Sequence, residues 1–245
     1  AEAETSGRTS EIIGKWLRKK KNRDKLVIAT KIAGPGDYTK HIRTGGFSPK
    51  SIEDAINKSL KRLQTDYIDL YQLHWPERST NFFGIRDYKH NYKDKWNDNF
   101  NEILNSLDGF VKQGKIRNIG ISNEKSWGAM RYIEESNKCN LPRVVTIQNA
   151  YSLLNRPFEG DLAEISIREG LGLLAYSPLG FGHLTGKYVQ KSNARGRVNL
   201  FPGYAKRYSK PGVNLAVEDY FHIAKEFNLS LTQIALSFVY RQWFV

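Results

Sequence analysis

Five short apolar runs in this chain end in, or are interrupted by, side chains that can bind a polar ligand or move a proton. Lys31 closes LVIATK (26–31), His74 closes IDLYQLH (68–74), and Ser122 and Asn123 close IRNIGISN (116–123). Gln148 and Asn149 lie within VVTIQNAY (144–151), and Tyr176 and Ser177 within LGLLAYSPL (171–179). An ammonium at the end of an apolar strand can lower a neighbour's pKa, and an imidazole exchanges protons near neutral pH. Each residue also has a plainer reading. Lys31 can snorkel to solvent, and His74 can be an ordinary polar residue where a strand meets a loop. Ser122 and Asn123 can cap a helix starting near Ser126, and Tyr176 can be core packing or an aromatic that stacks on a flat ring. Gln148 requires a partner, because a buried amide without one is costly.

The elements that must position these groups are legible from periodicity. The five runs read as buried parallel strands. Amphipathic helices lie between them. In SPKSIEDAINKSLKRLQ the residues Ile52, Ala55, Ile56, Leu60 and Leu63 share one face, with Ser48 as cap and Pro49 at the first helical position. In NFNEILNSLDGFVKQGK the face is Phe100, Ile103, Leu104, Leu107 and Phe110. Alternation of strand and helix with no linker or composition break predicts one α/β domain over residues 1–245. An open doubly wound sheet and a closed (β/α)8 barrel both fit that alternation. Two features favour the barrel: chemistry collects at the carboxyl ends of several strands, and KIAGPGDY after the first strand lacks the dinucleotide fingerprint.

Composition bounds the function. The 245 residues suit a single barrel, and 40% hydrophobic with 26% charged residues is ordinary for a globular protein. No apolar run approaches the ~18 residues that span a bilayer. The single Cys139 excludes an internal disulfide, and with no signal peptide before Glu11 the expectation is a reducing, cytoplasmic setting. The net charge of +13 is spread over helical faces without interleaved aromatics, which argues against nucleic acid and suits a phosphorylated anion. Its densest cluster, Arg18–Lys25, reads as the solvated end of a helix.

Taken in order, SLKRLQTDYIDLYQLHWP, GKIRNIGISNE, TIQNAYSLLNR and LLAYSPLGFGHLTGKY resemble the aldo-keto reductase family, and more closely its bacterial Tas-like branch. The resemblance covers essentially the whole chain. It implies a (β/α)8 barrel, no metal, and NADPH-dependent reduction of small carbonyl compounds, with a tyrosine as proton donor. Lys31 matches the lysine that lowers the tyrosine's pKa, and His74 the histidine that orients the carbonyl. Ser122, Asn123 and Gln148 match the groups that bind the nicotinamide carboxamide, and Tyr176 the aromatic that stacks on the ring. Ser177, Leu179, Gly180, Phe181, Leu184, Gly186 and Lys187 match the segment along the pyrophosphate, with Arg197 as a further phosphate contact.

Departures from the pattern carry expectations of their own. Glu124 replaces the usual aromatic after the Ser-Asn pair, as in the Tas-like branch, a minor change. The family's catalytic aspartate and tyrosine lie upstream of ETSGRTSEIIGKWL, and Tyr38 falls in the wrong loop to replace the tyrosine. The first two strands and the eighth have no counterpart, so the expectation is an incomplete barrel from a longer reductase, itself inactive in turnover. Residues 75–98 and 180–215 are expected to wall the substrate pocket and to cover the cofactor. The other function class that fits is an NADPH-binding sensor or scaffold of the same fold with little turnover.

Overall fold

The computed structural model describes residues 5–42, 44–85, 87–191, 193–201, 203 and 206–245. Residues 1–4, Arg43, Arg86, Ser192, Pro202, Tyr204 and Ala205 lie outside the described residues, as does the side chain of Tyr38. Arg86 falls in the first of the two predicted long loops, and Ser192, Pro202, Tyr204 and Ala205 in the second. The chain divides into two compact units, residues 1–80 with 89–147 and residues 81–88 with 148–245.

The first unit alternates strand and helix: α1 (Arg8–Lys20), β1 (Ala29–Ile32), α2 (Pro49–Leu63), β2 (Ile68–Leu73), α3 (Phe100–Lys112), β3 (Ile116–Ser122), α4 (Ser126–Cys139) and β4 (Val144–Gln148). The strands neighbour one another in chain order, β1-β2-β3-β4. A doubly wound sheet reverses its order at a switch point, so this sequential order is that of a barrel wall. Pairing is parallel, with Lys31 opposite Gln72 and Gln72 opposite Gly120. All of β2 is buried, as expected of a strand covered on both faces.

The helices form where the apolar stripe and the caps agree. The Ser48 hydroxyl accepts the Ser51 N–H, Pro49 opens α2, and Ile52, Ala55, Ile56 and Leu63 are buried along it. Leu60, on the same face, is only half-buried. In α3 all five predicted face residues are buried. Each such aliphatic side chain withdrawn from water contributes roughly 1.5–3 kcal/mol against the entropy of ordering the turn. The basic cluster after Leu17 sits in the last turn of α1, where Arg18, Lys19 and Lys20 complement the helix dipole. β1 starts three residues later than expected: Arg23 donates to the Leu26 and Tyr67 carbonyls and to Asp69, which holds the preceding segment in a short turn.

The second unit contains α5 (Leu162–Arg168), the two-residue strand β5 (Gly172–Leu173), α6 (Lys187–Gln190), α7 (Arg197–Leu200), α8 (Val213–Glu226) and α9 (Leu231–Tyr240). The strand predicted over 171–179 is shorter than expected, because its ladder is interrupted after Leu173. It resumes as a single parallel bridge between Ala150 and Tyr176, with Tyr176 N–H donating to Asn149 O and Tyr151 N–H to Tyr176 O. Leu184, Val217, Ala224, Leu231 and Ala235 form the core between α8, α9 and the 180–185 turn. Ser230 and Gln233 open α9 with a reciprocal capping box. The segment 180–215 is therefore not a featureless loop: it holds α6, α7 and a short turn at Lys206–Tyr208 whose Tyr208 is fully buried. Among the described residues no helix is long and apolar enough to cross a membrane.

Candidate active site

Side chains alternate faces along a strand, so the register sorts the first unit's residues. Lys31, Gln72, Gly120 and Thr146 share one face, and two residues further along β2 and β3 the same face carries His74 and Ser122. Ile32, Leu73, Ile121 and Ile147 point the other way and are buried. The polar groups thus converge beyond the carboxyl ends of neighbouring strands, the position at which barrel enzymes place their chemistry.

His74 directly follows β2. Its N–H donates to Ile32 O at 3.0 Å, and its ring lies 4.6 Å from that of Trp75, tilted by 51°. Trp75 is anchored in turn by its indole N–H, which donates to Pro35 O at 2.9 Å. Burial, with the Lys31 charge adding to it, pushes the imidazole down to about 4, so His74 is neutral at physiological pH. Burial also holds the Lys31 ammonium below its ordinary value. Both residues are half-buried.

Ser122, Asn123 and Glu124 are all buried. The Asn123 amide donates to His74 O at 2.9 Å and to Ser122 Oγ at 3.1 Å, which ties the end of β3 to the end of β2. The N-cap position of α4 is Lys125, and the Glu124 carboxylate accepts its backbone N–H. Glu124 pairs with Arg78 and Glu77 accepts the Phe47 N–H and the Asn99 amide. Sequence reasoning passed over Glu77, Arg78 and the fully buried Gln72. The available signal was two charged residues directly after His74-Trp75-Pro76, together with an acid where the pattern expects an aromatic.

The second unit carries the remaining candidates. Gln148 ends β4, and the Tyr176 hydroxyl accepts a hydrogen bond from Arg207 at 3.1 Å. Leu184 belongs to the core, so its side chain packs inward. Leu179 packs against that core, and its carbonyl accepts the Gly182 and Leu184 N–H groups. Gly180 opens the 180–185 turn, and Gly186 ends it at φ 77 and precedes α6. Lys187 opens α6 and Arg197 opens α7, with the Arg197 guanidinium 5.5 Å from the Phe181 ring centroid. A Cβ on Gly182 would lie 3.4 Å from Lys187 Nζ, and one on Gly196 would lie 2.7 Å from it. The ammonium therefore occupies space that two glycines leave open. Among the described residues no carboxylate pairs with Lys187, and no group of acids, histidines or cysteines could hold a metal.

Left-handed backbone also occurs at three of the candidate residues, as it does at Phe83. Left-handed non-glycine conformations at Lys21, Gln64 and Asn140 end α1, α2 and α4 in the usual way. Asn123, Ser177 and Phe181, at φ 53, 56 and 55, end no helix. Such strain costs of order 1 kcal/mol each and tends to persist where function requires it.

Comparison with known proteins gives this arrangement a family. The Aldo/keto reductase family model matches residues 5–245. The chain is 47% identical over 249 aligned residues to Protein tas of Escherichia coli, covering 99% of this chain and 70% of that protein. It is 35% identical to an aldo-keto reductase of Babesia bovis, over 90% of this chain and 82% of that protein. With the oxidoreductase YrpG of Bacillus subtilis the identity is 34%, over 96% and 65%. The chain belongs to the aldo/keto reductase family, in its Tas-like branch, and so to a family of (β/α)8-barrel oxidoreductases that act on small carbonyl compounds.

Proposed function

We propose that this protein reduces aldehydes or ketones to alcohols with NADPH, His74 orienting the carbonyl and Lys31 tuning the proton donor. The observation that supports it best is the state of His74, a neutral imidazole at a strand end beside the Lys31 charge. A neutral imidazole donates one N–H to a carbonyl oxygen without bringing a charge that would have to be neutralised. The Lys31 ammonium stabilises the ionised form of a hydroxyl near it, which makes that hydroxyl a better acid. In this reading the donor is a tyrosine, as the family resemblance implies.

The donor set suits a dinucleotide phosphate. In the first unit Ser122 and Asn123 offer a hydroxyl and an amide to a carboxamide; in the second Gln148 offers an amide and Tyr176 an aromatic face for a flat ring. Lys187 and Arg197 follow the segment that holds Ser177, Leu179, Gly180, Phe181 and Gly186, where cations and backbone N–H groups favour an anion. Leu184 anchors that turn to the core. When bound, NADPH would supply the hydride that reaches the carbonyl carbon, while the oxygen takes the proton.

The test is NADPH oxidation by the full-length protein with an aromatic aldehyde. His74→Gln and Lys31→Met should each lower kcat/KM by about 10²–10⁴-fold. Turnover untouched by both substitutions would overturn the assignment.

A further inference from the structure

We infer that the buried ion pair between Arg78 and Glu124 is a positioning clamp, tying the loop after His74 to the hinge that carries Ser122 and Asn123. The inference rests on the function proposed above. It adds that the carbonyl-orienting His74 and the nicotinamide-binding Ser122 and Asn123, all in the first unit, are held together by residues that touch neither ligand.

The pair is bidentate. Arg78 Nη1 donates to Glu124 Oε2 at 2.9 Å and Nη2 to Oε1 at 2.5 Å, with the two side chains 10% and 3% exposed. Withdrawing two charges from water is so unfavourable that apolar replacements of similar size are often as stable. Stability alone is thus a poor reason for this pair, whereas a planar fork that fixes distance and direction is a good one. Its surroundings are shaped to it. Glu124 Oε1 also accepts the Lys125 N–H at 2.6 Å, next to the N-terminus of α4, where a carboxylate meets the positive end of the dipole. The guanidinium lies 4.9 Å from the Trp127 ring centroid. A Cβ on Gly128 would lie 2.5 Å from Arg78 Nη2 and from the Glu124 carboxylate, so only glycine lets α4 approach this closely.

The clamp also closes a ring. From His74 the chain runs through Trp75, Pro76 and Glu77 to Arg78, crosses to Glu124, steps back to Asn123, and returns through the Asn123 amide to His74 O. Glu77 pins the outer side of that ring through the Phe47 N–H and the Asn99 amide at 2.6 Å. After Asn123, where the wider family pattern has an aromatic and the Tas-like branch an acid, the acid of this chain pairs with the residue four positions after His74.

The experiment uses the full-length protein with the pair replaced together, Arg78→Met/Glu124→Met, so that neither charge is left alone. Thermal midpoint, the NADPH dissociation constant by fluorescence titration, and kcat and KM for an aldehyde are measured. The clamp predicts an NADPH dissociation constant raised about tenfold and kcat/KM lowered about a hundredfold, with a midpoint close to the parent's. Arg78→Lys, which keeps the charge but not the fork, should lose several-fold in both and decides the matter if the double variant does not fold. A merely structural pair would shift the midpoint and leave both constants of the folded protein unchanged, which overturns the clamp. Ser122→Ala separates the two layers of the argument. If it weakens NADPH binding while the Arg78 variants do not, the clamp fails and the cofactor reading stands. If it leaves NADPH binding unchanged, the cofactor reading fails and takes the clamp with it.

Discussion

Replacing His74 by glutamine should flatten the acid side of the protein's stability curve. The folded imidazole titrates at about 4, against an ordinary value of 6.5. Above pH 6.5 both folded and unfolded chains carry it neutral, so it contributes its full share there. Between 6.5 and 4 the unfolded chain takes up a proton that the folded chain refuses, and stability falls as the pH falls. Two to three units at 1.36 kcal/mol each make the loss about 3 kcal/mol, a large part of a typical net stability of 5–15 kcal/mol. The assay is urea unfolding of the parent and His74→Gln at several pH values from 7.5 to 4. Carboxylates and the other histidines titrate alike in both proteins and cancel in the difference. The parent should lose about 3 kcal/mol more than the variant across that window. Parallel curves would refute the claim that burial and Lys31 hold this imidazole neutral. Because Lys31 is the second cause of the shift, Lys31→Met should narrow the gap.

Other perturbations test the frame around the site. Asp69 is buried and accepts from Arg23, Arg117 and the Ile28 N–H; burial alone would raise its pKa, but these donors outweigh it and lower it. Asp69→Asn leaves Arg23 without its charge partner and should cost about 3 kcal/mol in urea unfolding, whereas a change under half of that would mean the network is not coupled. Leu104→Ala removes a fully buried side chain from α3 and should cost roughly 2–5 kcal/mol by the same assay. Ser48→Ala removes the cap of α2 and should cost about 1 kcal/mol, visible as a small drop in thermal midpoint.

Much of the fold was legible because burial imposes period on sequence. The α3 face could be read residue by residue since each of its apolar positions has only the core to face. The strands were located by their apolar runs, but β1, β4 and β5 were misjudged in extent. Arg23 draws the Leu26 carbonyl out of the ladder, and the chain after Leu173 leaves regular pairing until Tyr176. Neither event leaves a mark in local composition. The site followed the same division. Lys31, His74, Ser122, Asn123 and Gln148 stood out because polar residues at the ends of buried strands need a reason. Arg78 and Glu124 did not, since separated charges in a sequence say nothing of each other.

The sequence by itself determined where the strands of the first unit lie, the buried faces of α2 and α3, and the family pattern. These depend on local periodicity and residue type, which the chain carries position by position. Only the tertiary structure decided that His74 is neutral, that Asn123 holds the His74 carbonyl, and that Arg78 meets Glu124. Those outcomes depend on burial and on distances across the sheet between residues nearly fifty positions apart, and no local pattern encodes either.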